Sequence, residues 1–337
     1  MTKRKVRWGI LGAARINARV MPAIVAADNA ELVAIASRRK GAAQQVLSDY
    51  LPQVSHVTAY DDPALLIARD DIEVIYLPMA NEEHTEWALK AIAAGKHVLI
   101  EKPLAMAVAE IDEIQLAAKQ HQVQVMEGFM YCFHPQHRQV QQFLAEGSLG
   151  DVRTVRSCFS FPMPEARHYR IQREMANGGG AMWDIGPYAI HTIRQWFDAA
   201  PLSVMAMASL NEFRADMGMT GTIDYGAGRY GQFDISFERA RRSQYEIIGT
   251  RGGLRCDTVW QGENDPVQLY WWNDEGKQGE IAVEAANHFI EEITAFSQCI
   301  IDGKSPLLSL ADARENCQVI VAAVESSHTG QRVRIKS

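Results

Sequence analysis

The sequence predicts an α/β protein in two domains: a doubly wound parallel sheet over residues 1–126, then an α/β domain with a large, mostly antiparallel open sheet over residues 127–337. Three observations predict it. Through the first part, short apolar runs alternate six times with segments of helical composition across brief polar connections, the pattern of parallel strands crossed by helices. After Met126, strand-like segments follow one another without helices between them, as antiparallel pairing requires. A chain of 337 residues is also too long for one ordinary core.

Val6 to Leu11 is the first strand. It ends at Gly12-Ala13-Ala14-Arg15-Ile16-Asn17, and Ala18 to Ala27 has helical composition interrupted by Pro22. Strand, glycine turn and helix form the layout that holds a dinucleotide pyrophosphate on helix N–H groups, which makes Gly12, Ala14, Arg15 and Ile16 candidate cofactor contacts. The turn departs from the G-x-G-x-x-G/A pattern at Ala14 and Asn17. Alanine still allows close backbone approach, and an ordinary strand-turn-helix fits the same residues.

Glu31 to Ala36 is the second strand, followed by Ser37-Arg38-Arg39-Lys40. A carboxylate at this point binds the ribose 2′-hydroxyl of NAD, whereas arginine accommodates the 2′-phosphate of NADP. A hydroxyl and three cations therefore predict NADP over NAD, with Ser37, Arg38 and Arg39 in contact; a solvated basic turn is the alternative.

Val57 to Tyr60 is a short third strand, and Asp61-Asp62-Pro63 opens a helix with an Asx cap and a first-turn proline. Glu73 to Leu77 is the fourth strand. Pro78, Asn81 and His84 lie just past its end as candidate cofactor contacts, Asn81 for the nicotinamide ribose. His84 to Ala94 is a helix with Gly95 in its cap, and His97 to Ile100 is a strand suited to a buried parallel position. Pro103 fixes its own φ and biases Lys102 toward extended backbone, holding the lysine at the strand's carboxyl end, where open α/β sheets bind ligands. Glu101 and Lys102 are candidate cofactor contacts and Lys102 a candidate catalytic group; alone, the two read equally as a solvated pair. Ala107 to Gln120 and Val123 to Glu127 supply the last helix and strand.

In the second part, Pro135 to Glu146 is helical and Gly147-Ser148-Leu149-Gly150 ends it. Strands follow at Val152 to Phe161, Ser203 to Asn211, Thr220 to Tyr225, Arg229 to Glu238, Tyr245 to Gly249 and Val267 to Trp272, with turns at Gly226-Ala227-Gly228 and Arg251-Gly252-Gly253. Helices over Ala285 to Asp302 and Leu310 to Thr329 cover one face of that sheet or return to the first domain. Gly178-Gly179-Gly180 lets backbone approach something closely. A helix beginning near Asp184 places Asp184, Tyr188 and His191 on one stripe by i, i+4 and i+7 spacing. An acid, a phenol and an imidazole suit proton transfer. Asp184 as a helix cap and Tyr188 as a packing aromatic is the alternative.

Composition narrows the class. A hydrophobic fraction of 47% and a charged fraction of 22% are those of a soluble globular chain. A net charge of −7 without a block of like charges argues against nucleic acid or an anionic membrane as partner. Cys132, Cys158, Cys256, Cys299 and Cys317 are odd in number, widely spaced and without a CxxC, so neither a disulfide framework nor a metal site is expected, and the cytoplasm is. Met1-Thr2-Lys3-Arg4-Lys5 before an apolar run has the charge of a secretory leader, but the run breaks at Gly12 and reads as a strand.

Gly12-Ala13-Ala14, Ala94-Gly95-Lys96-His97-Val98-Leu99-Ile100-Glu101-Lys102-Pro103 and Gly178-Gly179-Gly180 with Asp184-Ile185-Gly186-Pro187-Tyr188 together resemble the Gfo/Idh/MocA oxidoreductase family, over essentially the whole chain. The resemblance implies a Rossmann domain, an α/β domain with a large open sheet, and hydride transfer between NAD(P) and a hydroxyl or carbonyl carbon, usually of a sugar. The family's lysine carries over to Lys102 and its motif aspartate to Asp184. Tyr188 stands where some members have histidine, which is similar to the tyrosine branch: glucose-fructose oxidoreductase, dimeric dihydrodiol dehydrogenase, NADP-dependent xylose dehydrogenase and the sugar 3-ketoreductases. Met126-Glu127-Gly128-Phe129-Met130-Tyr131 and Phe133-His134-Pro135-Gln136 resemble that branch too. The departures are Asn17 and Ala80, the latter where many members have proline.

On this reading Tyr188 is the general acid/base. A phenol titrates near ~10, and a neighbouring Lys102 ammonium favours its phenolate. Lys102 also stabilises charge on the reacting oxygen, and Asp184 orients the lysine or a substrate hydroxyl. The second reading is a ketoreductase acting on a nucleotide-linked keto sugar, with Tyr169, Arg170 and Arg173 lining the nucleotide cleft. A distant third is a non-catalytic, cofactor-sensing regulator. An open sheet with a face to cover predicts a homodimer or homotetramer.

Overall fold

The computed structural model describes residues 4–260 and 264–336, so the Met1 to Lys3 start of the charged segment lies outside the described residues. The chain forms two compact units. The first runs to Phe133 and takes back Asn287–Arg314; the second comprises His134–Ala286 and the chain from Glu315 onward. The division at 126 in the sequence reading thus falls short of Phe133 and misses the returning segment.

In the first unit the elements are β1 (Val6–Leu11), α1 (Asn17–Ala26), β2 (Ala30–Ala36), α2 (Ala42–Tyr50), β3 (Thr58–Tyr60), α3 (Pro63–Ile67), β4 (Val74–Leu77), α4 (His84–Ala93), β5 (His97–Glu101), α5 (Val108–His121) and β6 (Val125–Gly128). The six strands are parallel in the order β3-β2-β1-β4-β5-β6, a doubly wound Rossmann sheet whose order reverses between β1 and β4. β4 is buried throughout, as an all-apolar Val74-Ile75-Tyr76-Leu77 run demands. α1 continues through Pro22; one backbone donor is lost, and the buried Val20, Met21, Ala23 and Ile24 hold the helix in place. Lys96, from the motif before β5, is buried and donates Nζ to the carbonyls of Arg69 at 2.7 Å and Ile72 at 2.9 Å, so it ties the strand's start to the loop before β4.

The second unit holds α6 (Pro135–Ala145), β7 (Val152–Ser160), α7 (Ala181–Asp184), α8 (Gly186–Arg194), β8 (Ser203–Leu210), β9 (Asp216–Asp224), β10 (Tyr230–Ser236), β11 (Arg242–Gly249), β12 (Gly252–Cys256), β13 (Val267–Asn273) and β14 (Gln278–Val283). The chain then gives α9 (His288–Asp302) to the first unit, continues through α10 (Leu310–Thr329) and ends in β15 (Val333–Arg334). Nine strands form one sheet in the order β14-β13-β12-β11-β7-β10-β9-β8-β15, antiparallel except for the β7–β10 pair. Its buried face packs on α8. α9 packs on α1, β1 and β2: Trp8 Nε1 donates to Ser297 Oγ at 3.1 Å, and the Trp8 and Phe296 rings meet edge-on at 5.9 Å. Among the described residues no helix is long and apolar enough to cross a membrane.

Candidate active site

The carboxyl edge of the first unit's sheet carries the cofactor candidates. Gly12 leaves β1 at φ 140°, a conformation that favours glycine, and a Cβ there would lie 3.3 Å from Met79 Cγ. The carbonyls of Ala14, Arg15 and Ile16 accept the amides of Asn17, Ala18 and Arg19, which puts the amides of those three residues ahead of the helical ladder, where a pyrophosphate binds. Asn17 now has a physical account: it is buried, and its Nδ2 donates to the Gly12 carbonyl at 2.8 Å, bracing the turn from within α1. At the end of β2, Ser37 Oγ accepts the Arg39 amide at 3.2 Å, and Arg39 Nη2 reaches the Ala13 carbonyl at 2.6 Å. A guanidinium therefore stands at the glycine turn, with the Ser37 hydroxyl on the same residue's amide, donors that fit a 2′-phosphate. Arg38 turns to Glu83 in an ion pair.

Lys102 follows β5, half-buried, through a cis peptide to Pro103. Tyr76 on β4 donates its hydroxyl to Glu101 Oε1 at 2.6 Å. On the other side, Glu127 Oε1 accepts the Leu104 amide at 2.8 Å. His84 is fully buried, its ring nitrogens 2.9 Å from the Pro103 carbonyl and 3.2 Å from that of Met79, and burial lowers its pKa. His84 is thus a brace that joins the segments holding Met79 and Pro103. Asn81 opens a short 3₁₀ turn and is half-exposed, as is Met79, while Pro78 is buried against Gly12. Tyr76 and Glu292 escaped the sequence reading, and Glu127 entered it only as part of a motif. Burial pushes the Glu292 carboxyl well up, and the Glu101 charge adds to the shift. The one available signal was Glu127, an acid inside an otherwise apolar strand.

In the second unit the expected continuous helix is broken. α7 ends at Asp184 and α8 begins at Gly186, because Pro187 has no N–H to offer the Trp183 carbonyl. Asp184 and Tyr188 therefore sit on either side of a kink. Asp184 is buried and gripped by two guanidinium groups, Arg170 Nη1 at 3.1 Å from Oδ1 and Arg167 Nη2 against Oδ2. Arg170, predicted for a nucleotide cleft, thus serves Asp184 and also lies 5.6 Å from the centre of the exposed Tyr169 ring. Tyr188 lies in an aromatic wall, 5.9 Å from Phe159 and 6.2 Å from Trp260, which themselves stack at 4.5 Å. His191, also on α8, is buried. The glycine triplet approaches protein rather than empty space: a Cβ on Gly179 would lie 1.9 Å from the Arg173 carbonyl oxygen and one on Gly180 would lie 1.8 Å from Asp216 Oδ1. Arg167 and Asp216 carried no local signal, since each reaches its partner across a loop.

Comparison with known proteins follows the same division. Residues 6–129 match the profile described as oxidoreductase family, NAD-binding Rossmann fold, and residues 137–255 match the GFO/IDH/MocA C-terminal domain. The chain belongs to the Gfo/Idh/MocA family. It is an oxidoreductase by that membership. It is similar to the dTDP-3,4-didehydro-2,6-dideoxy-alpha-D-glucose 3-reductase of Actinomadura kijaniata, 33% identical over 306 residues and 89% of each chain. It also resembles D-xylose 1-dehydrogenase (NADP(+)) 2 of Haloferax volcanii, 28% identical over 97% of this chain and 99% of that one. Among solved structures, a 3-ketoreductase from Actinomadura kijaniata in complex with NADP and TDP-benzene superposes with a TM-score of 0.87 at 28% identity, covering 96% of this chain and 98% of that one.

Proposed function

We propose that this protein is an NADP(H)-dependent oxidoreductase that moves a hydride between the nicotinamide and a hydroxyl or carbonyl carbon of a sugar or related polyol. The observation that carries the cofactor choice is the Arg39 guanidinium on the Ala13 carbonyl, with the Ser37 hydroxyl beside it on the Arg39 amide, which supplies donors where an NAD site presents a carboxylate. Relatives active on sugars, one of them named for NADP(+), support the substrate class. When bound, the nicotinamide supplies or accepts the hydride. In the reducing direction Tyr188 would give its hydroxyl proton to the substrate's carbonyl oxygen. The Lys102 ammonium hydrogen-bonds that oxygen and offsets the charge that develops on it. Asp184, held as a carboxylate by Arg167 and Arg170, orients a substrate hydroxyl. Phe159 and Trp260 keep water from the Tyr188 phenol.

Titration of the protein with NADPH and NADH, followed by tryptophan quenching, tests the reading. Tight NADPH and weak NADH binding is expected, followed by turnover on an aldose or keto sugar; binding of neither cofactor would refute it. The alternative substrate, a nucleotide-linked keto sugar, is favoured by the dTDP-sugar reductase among the relatives, and rates on free and nucleotide-linked sugars separate the two.

The same proposal places the enzyme in the cytoplasm as a homodimer or homotetramer. The widely spaced, odd cysteines support the compartment. Exposed Met205 and Met207 on β8 and Tyr230 on β10, all on one face by register, support association through the sheet. Light scattering of the purified protein measures the subunit number, and a monomer would refute the association.

A further inference from the structure

Asp216 opens β9 with its side chain entirely buried. Its Oδ2 accepts the Met182 amide at 2.8 Å, and the amides of Ala181 and of Asp216 itself also face the carboxyl. Its Oδ1 has no hydrogen-bond partner and occupies the space a Cβ on Gly180 would need. Gly180 meets it at φ 90°, a backbone state that excludes most side chains. The chain has therefore spent a glycine and a buried acid on one junction, two residues before Asp184. Trp183, between them, is anchored by Nε1 donating to the Met175 carbonyl at 2.9 Å, so a shift at Met182 passes to Asp184 through a turn with little slack.

We propose that Asp216 is a positioning residue, whose buried carboxylate holds the first amides of α7 and thereby sets where Asp184 sits between Arg167 and Arg170. The proposal deepens the functional reading, on which Asp184 belongs to the active site, but its structural content stands without that reading. Burial raises the Asp216 pKa to about 7, opposed by the Met182, Asp216 and Ala181 amides. The charged groups on the surrounding segments are already paired: Asp184 on α7 with Arg167 and Arg170, Glu174 with Arg214 at 2.9 Å on the adjoining loops, and Asp234 on β10 with Arg239 and Arg242. The form that accepts most strongly from Met182 is the carboxylate, so the grip on α7 strengthens as pH rises through neutrality.

The test is an NMR pH titration of the full chain, isotopically labelled at methionine amide nitrogens and aspartate carboxyl carbons, without substrate or cofactor. The Met182 amide is expected to shift in one step centred near pH 7, with the Asp184 carboxyl carbon shifting in the same step. Asp216→Asn, the isosteric neutral variant, removes the step from both signals and leaves Asp184 at a new, pH-independent position. An Asp184 signal that ignores both the titration and Asp216→Asn, or a Met182 amide that does not titrate, overturns the proposal. Should the variant not fold, the wild-type titration alone decides. Turnover of Asp184→Asn separately decides whether Asp184 serves the reaction, so the two ideas fail independently.

Discussion

Asp184→Asn removes one negative charge from a side chain that is only 4% exposed and leaves Arg167 and Arg170, at 24% and 30% exposure, facing a neutral amide. Breaking a fully buried ion pair costs about 3–5 kcal/mol, whereas an exposed pair is worth roughly 0–1 kcal/mol. Here the carboxylate is buried and the guanidiniums reach solvent over about a quarter of their surface, so the loss falls between the two, at about 2–3 kcal/mol. For a unit of this size each kcal/mol moves the melting temperature by about 2–4 °C, so a drop of roughly 4–12 °C is expected. Differential scanning calorimetry of wild type, Asp184→Asn, Arg167→Ala and the double variant measures it. The single variants should be strongly non-additive, because each removes the same pair. A drop under about 1 °C, or additivity within about 0.5 kcal/mol, would refute the inference that the two arginines hold a charged Asp184.

Tyr188→Phe should lower turnover by roughly 10²–10⁴-fold with NADPH affinity unchanged, read by steady-state rates beside the quenching titration; unchanged turnover would move the proton to another group, His191 being the next on the stripe. Arg39→Ala removes a charged donor from the glycine turn and should weaken NADPH binding by about 1.5–3 kcal/mol, roughly 10- to 150-fold, while leaving NADH nearly unaffected. Equal losses for both cofactors would place Arg39 in the turn's structure alone. Glu292 keeps its proton when folded at pH values above 4.5, where an unfolded glutamate loses it. Folding therefore binds the extra proton, and stability falls as pH rises past that value. Glu292→Gln should flatten this dependence and gain on wild type toward alkaline pH, read from urea midpoints between about pH 5 and 8; parallel curves would refute it.

Legibility in the sequence followed the range of the interactions. The strands of the first sheet stood out because most are buried and largely apolar, β4 entirely so, and the helices between them have their own period. β12 was hidden by Gly252-Gly253, which reads as a turn. In the structure these glycines lie in a strand because Trp272, opposite on β13, spreads its ring over Gly253, where a Cβ would lie 2.2 Å from Cζ2. Gly279 in β14 does the same under Trp271, which is why that edge strand also went unseen. Aromatic packing across strands overrode the turn chemistry of glycine. Lys102, Tyr188 and Asp184 were visible as candidates because they sit in local motifs. Arg167, Asp216, Tyr76 and Glu292 were not, since their roles depend on partners 17, 34, 25 and 191 positions away.

The return of Asn287–Arg314 to the first unit has a consequence for how the protein is made. The Rossmann sheet is translated first, yet Trp8 waits for Phe296 and Ser297, and Asn29 for the carbonyl of Thr294 at 3.0 Å. The amino-terminal half thus leaves the ribosome with one flank of its core uncovered, and it stays so until nearly the whole chain has emerged. The unit begun first is closed almost last, so a fragment ending at Phe133 is expected to expose the flank that α9 covers and to fold poorly alone.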